Sequence, residues 1–222
     1  MRPVVLENNE TYHVFNRGIE KRNTFTSKRE FDRAILTIDY YRHSKPFMRL
    51  SKALLLNIEE RSKFFEQLKN NGDKQVSIIS YCLMPNHFHF LLKQNQDSGI
   101  SRFVSNFSNS YTRYFNTRNK GRVGPLFQGI FKSVLVEDDN QLMHVHRYIH
   151  INPATSYVVK SSELENYPWS SLPEYLGKTK FGICDKEIIL NNFKTTRSYG
   201  KFIFNQIDYA RKLEKIKHLT LE

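Results

Sequence analysis

The sequence predicts an α+β protein: a ferredoxin-like antiparallel sheet with helices on one face, followed by an irregular, partly helical C-terminal extension. Three observations carry this. Strand-period and helix-period segments alternate in the order β-α-β-β-α-β-α. The two middle strands are joined only by Pro85-Asn86, a connection so tight that they must be antiparallel neighbours. The two main helical segments each carry one apolar and aromatic stripe, as helices laid on a sheet do.

The elements follow in order. Residues 11–19, "TYHVFNRGI", alternate and end at Gly18-Ile19, which predicts the first strand. Residues 27–44 place Phe31, Ile35, Ile38 and Tyr41 at helical spacing behind Ser27 as N-cap, and the helix closes before Pro46. Residues 45–74 mix basic and apolar side chains and end at Asn71-Gly72; they read as an inserted loop with a helical piece. Two strands, 75–84 and 87–95, come next. The segment 99–119 carries Ile100, Phe103, Phe107, Tyr111 and Tyr114 at helix period and runs into a basic loop containing Gly121 and Gly124. Residues 129–138 predict a further strand, and 140–153 a helix stopped by Pro153. The organisation expected is a catalytic unit over 1–157 and a C-terminal extension over 158–222 with short helical pieces.

Composition narrows the partner. In 222 residues, Lys plus Arg number 34 against 22 Asp plus Glu, a net charge of +12, and 17 Phe and 12 Tyr accompany them. Basic residues interleaved with aromatics suit single-stranded nucleic acid, which is held by backbone charge and base stacking. Cys82 and Cys184 stand outside any CxxC or Cys/His spacing, so neither a zinc site nor a disulfide framework is expected. The N-terminal stretch has no apolar signal core, and no run approaches about 18 apolar residues. The expectation is a cytoplasmic protein with no membrane partner.

Two short patterns carry chemistry. In "MPNHFHFLL", residues 84–92, His87 and His89 share one strand face roughly 7 Å apart, while Phe88, Phe90 and Leu92 face the other way and can fix the strand. Two imidazoles on a rigid strand can begin a divalent-metal site; a pair of hydrogen-bonded histidines is the competing reading. In "HRYIHINP", Tyr148 and Asn152 lie four apart and project from one helix face. Here the competing reading is an amphipathic core helix whose end Asn152 caps. His144 shares the face of Tyr148 and is a candidate to deprotonate it.

The segments "YHVFNRGIEKRNTF", "YCLMPNHFHFLL", "YTRYFNTRNKGRVGPLFQGIFKSVLVE", "HRYIHINPA" and "YPWSSLPEY" occur in this order over residues 10–176. In this the chain resembles the REP-associated tyrosine transposases, a branch of the HUH single-strand nucleases related to the IS200-like transposases. The resemblance implies a ferredoxin-like fold in which His87 and His89 bind Mg²⁺ or Mn²⁺, Tyr148 is the nucleophile, and Asn152 is a third metal ligand or an amide that orients the substrate. The implied activity is metal-dependent nicking and joining of single-stranded DNA through a 5′-phosphotyrosine intermediate, on single-stranded or hairpin DNA like a repetitive extragenic palindrome, by a monomer or homodimer. The insertion at 45–74 departs from the pattern, and the tail beyond 180 matches no known motif. DNA contacts are expected from Arg113, Arg118, Lys120 and Arg122 around Tyr114 and Phe127, and from a second patch at Arg17 and Lys21-Arg22. A non-catalytic nucleic-acid binding module on the same fold would need none of His87, His89 and Tyr148. A hydrolase of small phosphoesters would leave the charge unexplained.

Overall fold

A computed structural model describes residues 5–44, 46–179 and 182–212. The elements run β1 (Thr11–Arg17), α1 (Lys28–Tyr41), α2 (Leu50–Ala53), α3 (Ile58–Asn71), β2 (Val76–Met84), β3 (His87–Gln94), α4 (Gly99–Arg118), β4 (Lys132–Leu135), α5 (Asp139–Thr155), α6 (Leu172–Tyr175), α7 (Glu187–Leu190) and α8 (Thr196–Phe204). The strands pair antiparallel in the order β2-β3-β1-β4. This is the ferredoxin-like arrangement expected from the sequence, with β1 and β3 central.

Alternation sorts the side chains of β1 and β3 onto two faces. Tyr12, Val14, Phe88, Phe90 and Leu92 join α1 and α4 in one core. Leu91 instead joins α5 and the C-terminal elements in a second core on the opposite face, which also carries His13, Phe15, His87 and His89. A register shift between Ile78 and Ser80 inverts the parity of β2. Tyr81 and Leu83 therefore continue the α1/α4 core begun by Val76 and Ile78, while Cys82 and Met84 face α5.

The β2–β3 turn is anchored as well as tight. The Pro85 carbonyl accepts the backbone N–H groups of Thr24 (2.8 Å) and Phe25 (3.0 Å), and the Asn86 carbonyl accepts that of Gly18 (2.8 Å). A Cβ at Gly18 would sit 2.3 Å from the Arg22 carbonyl oxygen, so glycine is required there for space.

Four expectations are corrected by detail. Ser27 occupies the N-cap of α1, but its hydroxyl makes no capping bond; the Glu30 carboxylate accepts from the Thr26 N–H (2.7 Å) and hydroxyl (2.6 Å) instead. The insertion is more helical than expected. Its two helices leave and return at one point, where His43 bridges Lys74, and α2 and α3 send Leu50, Ala53 and Leu68 into the α1/α4 core. The fourth strand is only Lys132–Leu135, at the sheet edge. Finally, α5 does not stop at Pro153 but runs to Thr155. The Pro153 carbonyl accepts from Val158 (2.9 Å) and Val159 (3.1 Å), and the Asn152 carbonyl accepts from Ser156 (2.9 Å), so the bonds after proline hold the last turn.

Beyond α5 the chain returns to β2, whose outer edge would otherwise expose unpaired backbone. Leu83 N–H donates to the Trp169 carbonyl (2.9 Å), Ser171 N–H to that of Tyr81 (3.0 Å) and Asp185 N–H to that of Ile78 (2.9 Å). Tyr167, Leu172, Tyr175, Ile189, Tyr199 and Ile203 fill the second core. The stretch 213–222 of the expected C-terminal helical piece lies outside the described residues. Among the described residues, no helix is long and apolar enough to cross a membrane.

Candidate active site

Three elements converge on the face opposite α1 and α4. β3 supplies His87 and His89; β1 supplies His13, Phe15 and Arg17; α5 supplies Tyr148 and Asn152. His87, His89 and Tyr148 line one cavity of about 280 Å³ with Phe15, Arg17 and Lys132. The Tyr148 ring stands edge-on to His89, with centroids 5.5 Å apart, and to His13 at 6.0 Å. The Asn152 amide nitrogen lies 3.4 Å from His89 Nε2. The strand pair and the helix pair, separate in sequence, thus meet around His89.

His13 was missed by the sequence reading. Its Nε2 lies 2.9 Å from His89 Nδ1, and the two rings are stacked. His87 Nδ1 lies 2.6 Å from the Asn86 side-chain oxygen, which can only accept, so His87 carries its proton on Nδ1 and leaves the Nε2 lone pair bare. The same assignment at His89, with Nδ1–H donating to His13 Nε2, directs its Nε2 toward Asn152. In metal sites an outer acceptor on the second ring nitrogen commonly fixes a histidine this way.

Electrostatics favour the neutral forms that a metal needs. Burial pushes His13 down to about 4. Burial, with the nearby Arg17 charge, does the same to His87. Burial lowers His89 well below its ordinary value, assisted by His13, His87 and Arg17. Among the described residues no group of three or more His, Cys, Asp and Glu is arranged to hold a metal ion. The donors that could hold one are the Nε2 lone pairs of His87 and His89; the Asn152 amide turns its nitrogen to His89 and its Oδ1 to Ser156, so its oxygen would join them only after the amide turns over, with the remaining positions left to phosphate and water oxygens. Asn152 is 3% exposed and its Oδ1 accepts from Ser156 (3.2 Å).

The competing tyrosines fall away from this site. Tyr111 is fully buried in the α1/α4 core and donates to the Thr24 carbonyl (2.7 Å), while Tyr114 lies against Arg33 on the outer side of α4. Tyr148 is 47% exposed. His144 accepts from Arg147 at 2.8 Å, which occupies its Nδ1 lone pair.

The expected DNA-contacting residues separate into groups. Arg17 lies in the cavity wall, joined there by Lys132, which alternation in a strand as short as β4 did not single out. Arg22 is paired with Glu20 (2.5 Å). Arg113 and Arg118 lie on the far side of α4, in a groove with Arg29, Arg33 and Arg49, away from the histidines. Lys120 is exposed in the loop. Arg122 bonds Asn116 and the carbonyls of Gly124 (3.3 Å) and Pro125 (2.6 Å), so its guanidinium fastens the loop it sits in. Gly121 and Gly124 adopt φ of 87°, the turn geometry only glycine takes easily.

Residues 53–152 match the family model described as transposase IS200 like. That interval runs from α2 through β2, β3 and α4 to Asn152. No curated protein matches the sequence. A solved structure of a REP-associated tyrosine transposase bound to a REP hairpin is similar in fold, with a TM-score of 0.53 at 13% identity, covering 84% of this chain and 97% of that one. Residues 53–152 thus resemble the IS200-like transposases, in line with the resemblance read from the sequence, and the chain shares its fold with a REP-associated tyrosine transposase.

Proposed function

We propose that this protein is an HUH-type tyrosine transposase that nicks and joins single-stranded DNA. The observation that carries the reading is the edge-on placement of Tyr148 over His89, in a cavity that also holds His87 and Arg17. The Tyr148 oxygen attacks the scissile phosphorus, the P–O3′ bond breaks, and the phenol proton leaves to solvent as the 3′-oxygen departs and takes up a proton. The product is a 5′-phosphotyrosine, which keeps the energy of the broken diester. A 3′-hydroxyl from another end reverses the step, joins the strands and frees Tyr148, without a nucleotide cofactor.

This chain's residues divide the work. Arg17 and Lys132 draw the phosphate into the cavity. The strand platform and α5 hold the phenol and phosphate in line. A Mg²⁺ or Mn²⁺ ion on His87 and His89, with the Asn152 oxygen as the third donor once its amide turns over, would act as a Lewis acid that offsets the charge on the phosphate and the departing 3′-oxygen. His13 accepts from His89 and holds its tautomer. The fold of a protein solved with a REP hairpin supports hairpin DNA as the substrate class.

Labelled hairpin DNA with a single-stranded flank, incubated with Mn²⁺, is expected to give a covalent adduct on a denaturing gel. Tyr148→Phe removes one oxygen and should abolish the adduct while retaining DNA binding. Binding without an adduct in the unaltered protein, at any divalent ion concentration, would leave the non-catalytic binding module as the correct reading.

A further inference from the structure

α5 has two chemically different faces. Tyr148 lines the cavity and Asn152 meets His89 at 3.4 Å, and two residues away on either side of the phenol His146 and His150 turn inward, fully buried. A single phenol joins them. The Tyr199 hydroxyl on α8 lies 2.9 Å from His146 Nε2 and 3.0 Å from His150 Nδ1. His150 Nε2 is 2.7 Å from the Ser171 hydroxyl, which meets the Tyr81 N–H at 3.0 Å and the Tyr81 carbonyl at 3.3 Å.

The proton order follows from counting donors. If His146 donates to Tyr199, Tyr199 to His150, His150 to Ser171, and Ser171 to the Tyr81 carbonyl, every N–H and O–H in the series is used. The one buried group left over is His146 Nδ1, a bare acceptor, which matches its lack of a partner. The opposite order strands an N–H there. Burial disfavours the protonated form of both imidazoles, in keeping with this series.

The series ends at Tyr81, and the next residue, Cys82, is the cross-strand partner of His89. Directional bonds therefore run from α8, through the inner face of α5, to the ladder position that places His89. The apolar contacts of α5, through Leu142, Ile149, Ile151 and Ala154, impose no preferred rotation, and its other polar contacts with neighbouring elements include the longer Asn152–His89 (3.4 Å) and Arg147–Phe202 carbonyl (3.4 Å) pairs and the Arg211 bond to the Ala154 carbonyl (3.0 Å) near the helix end. Buried groups joined by directional hydrogen bonds specify one arrangement where apolar packing tolerates several.

We propose that Tyr199 is a positioning residue for Tyr148: by bridging His146 and His150 it sets the rotation of α5 that brings the phenol over His89. The proposal rests on the reading of Tyr148 as nucleophile, and its test separates the two. The full chain carrying 3-fluorotyrosine at position 148 is examined by ¹⁹F NMR without metal or DNA, as such and with Tyr199→Phe. Phe193→Leu is the control, since Phe193 packs on the Tyr199 ring (5.3 Å) but makes no hydrogen bond with it. Adduct formation with Mn²⁺ and labelled hairpin DNA is then timed at saturating DNA.

Tyr199→Phe should shift or split the position-148 resonance and slow the single-turnover adduct step at least tenfold, with DNA affinity unchanged. Phe193→Leu should lower the melting temperature and move neither. An unmoved resonance in Tyr199→Phe, or an equal change in Phe193→Leu, overturns the proposal. A resonance that moves in a protein forming no adduct supports the positioning role and refutes the nuclease reading instead. Should Tyr199→Phe fail to fold, Ser171→Ala breaks the same series at its other end and carries the same expectations.

Discussion

The two faces of the sheet are built from different materials. Toward α1 and α4, Phe88, Phe90, Phe103, Phe107, Tyr111 and Phe127 form a continuous aromatic cluster. Toward α5, the buried surface is threaded with His89, His146, His150 and Asn152, with His13 half-buried beside them. Apolar area stabilises without direction, whereas a hydrogen-bonded imidazole holds orientation and contributes little net stability. The first face keeps the sheet folded, and the second fixes where its side chains point.

Adjacent residues of β3 offer the strongest break of that comparison. His87→Ala should abolish the covalent adduct and change the melting temperature by only a few degrees, since the ring is partly exposed and its partner Asn86 can turn to solvent. Phe88→Ala, one residue on, should destabilise the fold by about 3–5 kcal/mol, because a fully buried ring leaves a cavity in a packed cluster. Chemical denaturation and the adduct gel, run on both variants, give crossed outcomes if the division is correct. Similar losses of stability in both would show that the histidine face also carries the fold.

Much of this division was legible in the sequence because it follows local periods. Alternation sets His87 and His89 on one face and helical spacing sets Tyr148 beside Asn152, while the roles expected of them came from the family resemblance. What escaped depends on contacts between distant segments. His13 looks like filler in an alternating strand until β1 pairs with β3, setting Phe15 opposite His89 and His13 opposite Leu91 on the same face. His146 and His150 gain meaning only from Tyr199, which lies beyond the segments that carry the family resemblance. Arg122, expected among the DNA contacts, also bonds carbonyls within three residues of itself, an arrangement set by the turn that charge and spacing do not reveal. The parity change in β2 has no signal in the apolar run "VSIISYCLM".

Acid should affect the two faces unequally. Burial lowers His13 to about 4 and His150 to about 3, and pushes His89 and His146 well below the usual value. An unfolded histidine binds its proton near 6.5. From there down to about 4 the unfolded chain holds more protons than the folded one, so stability rises with pH across that window. The contribution is complete above about pH 6.5 and is lost as pH falls. His43, also lowered by burial, adds to the same slope from the other side. The urea midpoint should therefore decline steadily from pH 7 to pH 4.5, with near-ultraviolet signals of the α5 region lost before those of the α1/α4 cluster. A flat midpoint would mean that water reaches these imidazoles in the native state.

The smallest expected effect concerns where DNA lies, and it sharpens the comparison by asking whether charge as well as packing divides between faces. Arg17 and Lys132 wall the cavity, whereas Arg113 and Arg118 lie beyond α4 with Arg29, Arg33 and Arg49, in a groove lined by no carboxylate among the described residues. Each phosphate neutralised contributes about 0.7 to the salt slope of binding for single strands and about 0.9 for duplex. A short oligonucleotide spanning only the cut site should lose roughly one unit of slope in Arg17→Gln and nothing in the double variant Arg113→Gln, Arg118→Gln. A full hairpin, long enough to reach around the sheet edge, should lose one to two units in the double variant as well. Equal slopes for short and long DNA would confine the polyanion to the histidine face, and the arginines beyond α4 would then be a solvated surface whose charge the reaction does not use.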